Sequence, residues 1–136
     1  LVIPMRSHSA GAAKSPVAAQ NTPLFTWSSM AGGFMSGRIT RTNTADFTDY
    51  FGKLAVECYA SEDNFQRVDR AGELAAAKGL TMPQIALAYV LNYPLNIYAL
   101  VGSANVDEMT ANAAASLVEL SVAEMDYLDL KVDSLA

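Results

Sequence analysis

One cysteine, one histidine and nine basic residues are all that this 136-residue chain has of the side chains that mark disulfides, metal centres and nucleic-acid surfaces. With Cys58 alone no intrachain disulfide can form, and no Cys/His cluster has metal-ligand spacing, which fits a reducing, cytoplasmic compartment. Asp and Glu, 14 in all, outweigh the bases to give a net charge of -5 and a pI near 4.6. The basic footprint that nucleic acid or an anionic membrane needs is therefore missing. Long apolar runs are missing as well, because Asn, Tyr and Pro interrupt the best candidates short of the roughly 18 residues that a bilayer span requires. The opening Leu-Val-Ile-Pro-Met-Arg has neither an initiator Met nor the basic-then-apolar order of a signal peptide. His8, between two serines, has no partner in sequence and reads as a solvated loop side chain.

What is present is a globular composition, 51% hydrophobic and 17% charged, on a length that suits one modest domain with a real core. Residues 1–22 run through Ser, Gly, Ala and Pro without a period and form a poorly defined N-terminal segment; residues 23–136 carry the pattern. Leu24, Phe25, Thr26 and Trp27, bounded by turn-formers, predict a strand over Pro23 to Ser28. From Ile39 to Ala60 runs a long polar and aromatic connection, with a helical turn expected around Tyr50 to Cys58.

Helix starts are then unusually legible. Ser61 or Asp63 begins a helix with Phe65, Val68, Ala71, Leu74 and Ala75 on one stripe, ended by Lys78-Gly79. Thr81-Met82-Pro83-Gln84 is a capping box with Leu80 and Ile85 as its hydrophobic staple, and Pro94 stops that helix after about Asn92. Its apolar arc is too wide for a surface helix. Asn105 caps a third, in which Val106, Met109 and Ala113 face one way, and Ser121-Val122-Ala123-Glu124 is a second capping box with Leu120 and Met125 as staple. Between them Ile97 to Val101 predicts a short strand covered on both faces.

Two loops draw functional interest. Ser28 to Arg38 combines hydroxyls, the glycines 32, 33 and 37 and a cation, so backbone N–H groups can approach a ligand and Arg38 can pair with phosphate. Its spacing matches neither the P-loop nor G-x-G-x-x-G. After the second strand, Gly102 and Ser103 open a helix whose first N–H groups are unpaired and whose dipole adds positive charge, which suits a phosphate. A plain strand-to-helix connection explains the same residues. Strands alternating with helices argue for a parallel α/β sheet, yet two strands alone leave ladder groups and apolar faces unsatisfied. The chain reads as part of something larger.

Four blocks in order then resemble the C-terminal part of an aldo/keto reductase: Ser28 to Arg38, Asn64-Phe65-Gln66-Arg67, Pro83 to Leu91, and Val101-Gly102-Ser103 with Asn112. The resemblance covers roughly Thr22 to Leu130. It implies an α/β fold, the C-terminal portion of a (β/α)8 TIM barrel, incomplete here because a whole barrel takes about 250 residues. It implies an NAD(P)H-dependent oxidoreductase acting on aldehydes or ketones, with NADP as cofactor and NAD as the alternative. By position, Ser28, Met30 and Gly32 would line pyrophosphate and ribose, with Arg38 a phosphate contact. Gly102 and Ser103 would sit near the adenosine phosphate, and Glu108 and Asn112 would reach the adenine side. Many relatives carry Arg or Lys where this chain has Ala104, Glu108 or Gly102, and Pro where it has Ser29. The family's catalytic Asp, Tyr, Lys and His map onto no residue here, so no catalytic residue is assigned. Beyond the nicotinamide cofactor and a small carbonyl substrate, the partners left open are a second copy or a complementary chain. A truncated remnant that binds cofactor or another chain without catalysis is the competing reading, and an independent helical domain without a ligand is the third.

Overall fold

The computed structural model describes residues 19–135. The reading of His8, and most of the N-terminal segment, lie outside the described residues. Within them the order is β1 (Leu24–Trp27), 3-10 turns at Ala31–Ser36 and Thr44–Asp46, α1 (Tyr50–Tyr59), α2 (Glu62–Lys78), α3 (Met82–Asn92), β2 (Ile97–Leu100), α4 (Val106–Ala115) and α5 (Val122–Leu128). The strands pair in parallel with Leu24 opposite Ile97 and Trp27 opposite Leu100, so both chains leave the sheet at the same end. This is an α/β fold.

Local signals set the helix ends. Ser61, Thr81, Asn105 and Ser121 each accept a hydrogen bond from the backbone N–H three residues on, and both predicted capping boxes are complete. Each such cap is worth about 1 kcal/mol. Gly79 closes α2 at φ 65°, a left-handed position that glycine reaches without the Cβ penalty. Leu80 and Met125 pack against the core that includes buried Ile85 and Leu120.

At the centre stands α3, buried at every position from Ile85 to Val90, as the width of its apolar arc predicts. It packs on α2, α4, β2 and the Ala31–Ser36 turn, around a core whose most enclosed large side chains are Phe34, Ile39, Ile85 and Leu128. Polar bonds tie the C-terminal segment to this core. The Tyr89 hydroxyl donates to Asp129, Lys131 Nζ lies 2.7 Å from the same carboxylate, and the buried Arg70 guanidinium donates to the Tyr127 carbonyl at 2.7 Å. Burial, and then its Asp129 acceptor, push the Tyr89 phenol above its ordinary range.

Two expectations are corrected and a third is given its direction. The described residues do not cover the second strand on both faces, nor the first: Thr26 is buried and Leu24, Ile97 and Ala99 are half-buried, whereas Phe25, Trp27, Tyr98 and Leu100 are 64%, 62%, 52% and 55% exposed. The described helices cover one face of the sheet, and side chains alternate across it. In α4, Val106, Met109 and Ala113 do face one way, and that way is outward, because the helix docks through its small residues Ala111, Asn112 and Ala115. Finally α1 is a complete ten-residue helix that buries Gly52 and Ala55, while Tyr50 and Leu54 stay exposed. Small residues let it lie close on the first loop, where a Cβ at Gly32 would meet the Ala55 Cβ at 3.3 Å.

Among the described residues no single helix is long and apolar enough to cross a membrane, and no group of His, Cys, Asp or Glu side chains could hold a metal ion.

Candidate functional site

Parallel pairing brings the two loops together. A cleft of about 200 Å³ opens where the strands end, lined from the first loop by Ser28, Ser29, Met30, Gly32 and Gly33 and from the second by Leu100, Val101, Gly102 and Asn112, with Leu87 of α3 beneath. Five residues singled out in sequence, Ser28, Met30, Gly32, Gly102 and Asn112, thus share one site. Ser103 joins them through Asn112, whose side-chain amide donates to its hydroxyl at 3.0 Å.

The first loop is held in a strained shape. Ser28 and Ala31 sit at φ 60° and 51°, beside Gly32 at 65° and Gly33 at 88°. Non-glycine residues in the left-handed region cost of order 1–3 kcal/mol each and persist where the surroundings over-determine them, as at ligand clamps. Here the surroundings include the Ser28 hydroxyl, which accepts from the Gly32 N–H at 3.1 Å, and the Met30 carbonyl, which accepts from the Gly33 N–H at 3.0 Å. These two glycine N–H groups are therefore engaged within the loop, a correction to the expectation that they face a ligand. Arg38 is not on the cleft wall. Its guanidinium donates to the Gly32 carbonyl at 3.2 Å and lies over the Phe47 ring at 5.3 Å, so it braces the loop.

The second loop also differs from expectation. The Glu108 carboxylate turns back to accept from the Ala104 N–H at 2.8 Å and from the Asn105 side-chain amide at 3.3 Å, while Asn105 Oδ1 takes the Glu108 N–H at 2.9 Å. The N–H groups of Ala104 and Glu108 are thus paired. An acidic residue three positions after an Asn cap competes for the donors that an anion would use.

Sequence reasoning missed Ser29, Gly33, Leu87, Leu100 and Val101 as lining residues. Ser29 and Gly33 lie inside the quoted loop, and Leu100 and Val101 inside the predicted strand, so position relative to the strand end was their available signal. Leu87 carries none, since its place beneath the cleft follows from how α3 packs. Ser29 is the informative one: its Oγ is buried with no hydrogen-bond partner. A small rotation of such a hydroxyl toward a phosphate or ribose oxygen would satisfy it, and leaving it unpaired costs about 1–3 kcal/mol. The residues present therefore fit a polar, oxygen-rich ligand against an apolar floor. At about 200 Å³ the cleft is smaller than the roughly 300–1,000 Å³ of complete small-molecule pockets, a size that suits part of such a ligand.

Comparison with known proteins gives two findings. The model of the aldo/keto reductase family matches residues 9–133. The chain is also similar to versiconal hemiacetal acetate reductase of Aspergillus parasiticus, 32% identical over 107 residues that make up 78% of this chain and 31% of that protein. The chain thus spans about a third of the length of the curated relative it matches.

Proposed function

This chain belongs to the aldo/keto reductase family, and from that premise we propose that it is the cofactor-holding C-terminal portion of a (β/α)8 barrel in an NAD(P)H-dependent oxidoreductase that reduces aldehydes or ketones. In such barrels the phosphate site is built from the loops after strands seven and eight, at the C-terminal ends of the strands. The observation that carries the reading is the meeting of Ser28, Met30 and Gly32 after β1 with Gly102 and Asn112 after β2 in one cleft. On this reading β1 and β2 are the last two barrel strands, and the half-exposed face of Phe25, Trp27, Tyr98 and Leu100 points into the barrel.

When bound, the reduced nicotinamide supplies hydride to the carbonyl carbon of the substrate. The residues of this chain bind and orient. Ser28 and Ser29 offer hydroxyls to the pyrophosphate and ribose, and the braced Gly32-Gly33 backbone keeps that wall thin enough for close approach. Asn112 holds the Ser103 hydroxyl beside the adenosine phosphate, while buried Leu87 makes the floor apolar. No group of the chain is assigned to move a proton to the carbonyl oxygen; on this reading that step belongs to the rest of the barrel.

Trp27, the single tryptophan, precedes Ser28 and reports on the site. Titration of the chain with NADH and with NADPH is expected to change its emission saturably, and no saturable signal with either would sink the proposal. The second reading, a cofactor-binding or interaction module without catalysis, is favoured by that uncovered sheet face. Saturable binding without carbonyl-dependent oxidation of cofactor by the full-length protein would select it.

A further inference from the structure

We infer that the adenosine end of the cleft selects NAD(H) over NADP(H), with Glu108 accepting from the ribose 2′-hydroxyl and excluding a 2′-phosphate; the inference rests on the cofactor reading just given. Glu108 lies one helical turn before Asn112, so the two share a face of α4, and Asn112 lines the cleft. Its carboxylate is fixed by the Ala104 N–H at 2.8 Å and by the Asn105 side chain at 3.3 Å. A carboxylate has about four lone-pair positions, so this anchored group still accepts from a hydroxyl.

A 2′-phosphate needs cations or free N–H donors; this stretch of sequence has no cation, and two of its N–H donors, those of Ala104 and Glu108, are already engaged. From residue 79 to residue 130, a stretch holding all of α3, β2, α4 and α5, the sequence has no Lys or Arg. The Ala104 N–H is already taken by Glu108. Arg38, in the opposite loop, is engaged with the Gly32 carbonyl and the Phe47 ring. The helix dipole does favour an anion, but it amounts to about half an elementary charge. Against it stand two full negative charges in the first turn of α4, Asp107 and Glu108. Repulsion wins, whereas a neutral ribose diol donates to a carboxylate, the arrangement by which acidic residues mark NAD sites in dinucleotide-binding folds.

The test is equilibrium titration of the wild-type chain and of Glu108→Gln and Glu108→Arg with NADH, NADPH, 5′-AMP and 2′,5′-ADP at one fixed salt concentration. Wild type is expected to bind NADH at least about tenfold more tightly than NADPH, with the same order for AMP over 2′,5′-ADP, since like-charge juxtaposition carries a penalty of that size or more. Glu108→Gln, whose amide oxygen can keep the Ala104 contact, should narrow the ratio, and Glu108→Arg should invert it. Equal or tighter binding of NADPH by wild type overturns the inference while leaving the cofactor reading intact. A preference for NADH unchanged in both variants overturns the role of Glu108. Binding of none of the four ligands by wild type removes the cofactor reading, and this inference with it.

Discussion

On the helix side of the β1–β2 sheet, Ile97 and Ala99 pack against a core in which Ile85, Ala88 and Leu128 have no exposed surface. On the other side Phe25 stacks on Tyr98 with ring centroids 5.3 Å apart, and both rings, with Trp27 and Leu100, remain more than half exposed. The same two strands therefore present one finished face and one open one. Fully burying a side chain of this size is worth about 1.5–3 kcal/mol. Covering the open face would thus add an amount comparable with the roughly 5–15 kcal/mol by which a whole domain is stable. Caps and a buried α3 complete the helix side with contacts made inside this chain, whereas the described residues leave the other face uncovered. The cleft lies at the end of the strands where these two regions meet.

Substitutions can sharpen that contrast. Ile85→Ala, in the closed core, is expected to lower unfolding stability by about 2–5 kcal/mol, read as a shift in the denaturation midpoint with an unchanged slope. Tyr89→Phe should cost about 1–3 kcal/mol at neutral pH by removing a donor from buried Asp129. Because the folded phenol titrates above its unfolded value near 10, its contribution is fully present below that pH and is lost as pH rises through the higher folded value. The stability gap between wild type and Tyr89→Phe should consequently shrink in strongly alkaline buffer; a constant gap would mean that the hydroxyl is not what matters. Asn112→Ala should weaken nicotinamide cofactor binding by about 1 kcal/mol or more in calorimetric titration, since it frees the Ser103 hydroxyl. Phe25→Thr, on the open face, should change stability least, by about 0.5–1.5 kcal/mol from the lost ring pair. A loss as large as that of Ile85→Ala would show that the face is covered in solution.

Much of the helical half could be read from the chain because its signals are local. Ser61, Thr81, Asn105 and Ser121 act on N–H groups three residues away, and Gly79 and Pro94 end helices by their own backbone geometry. The site was legible in part. Ser28, Met30, Gly32, Gly102 and Asn112 stood in the right two segments, but what each atom bonds did not follow from position. Arg38 was expected at a phosphate and braces Gly32; Glu108 was expected at the adenine side and also closes the Ala104 N–H. The apolar stripe Val106, Met109 and Ala113 was legible as one face, but its outward direction was not, because periodicity shows that a helix has two faces and only packing decides which one docks.

Composition, spacing and caps were by themselves enough to determine an acidic α/β chain with its helix starts and its two strands, because each depends on neighbours within a few residues or on totals; the likeness to a reductase came from the resemblance of four sequence blocks to a known family. Tertiary structure alone decided that Ser28 and Gly102, more than 70 residues apart, meet at one cleft with Leu87 as its floor, and that the described residues leave one sheet face open. Such contacts depend on which strand pairs with which and on how closely small residues let helices approach, and neither is set by any local run of side chains.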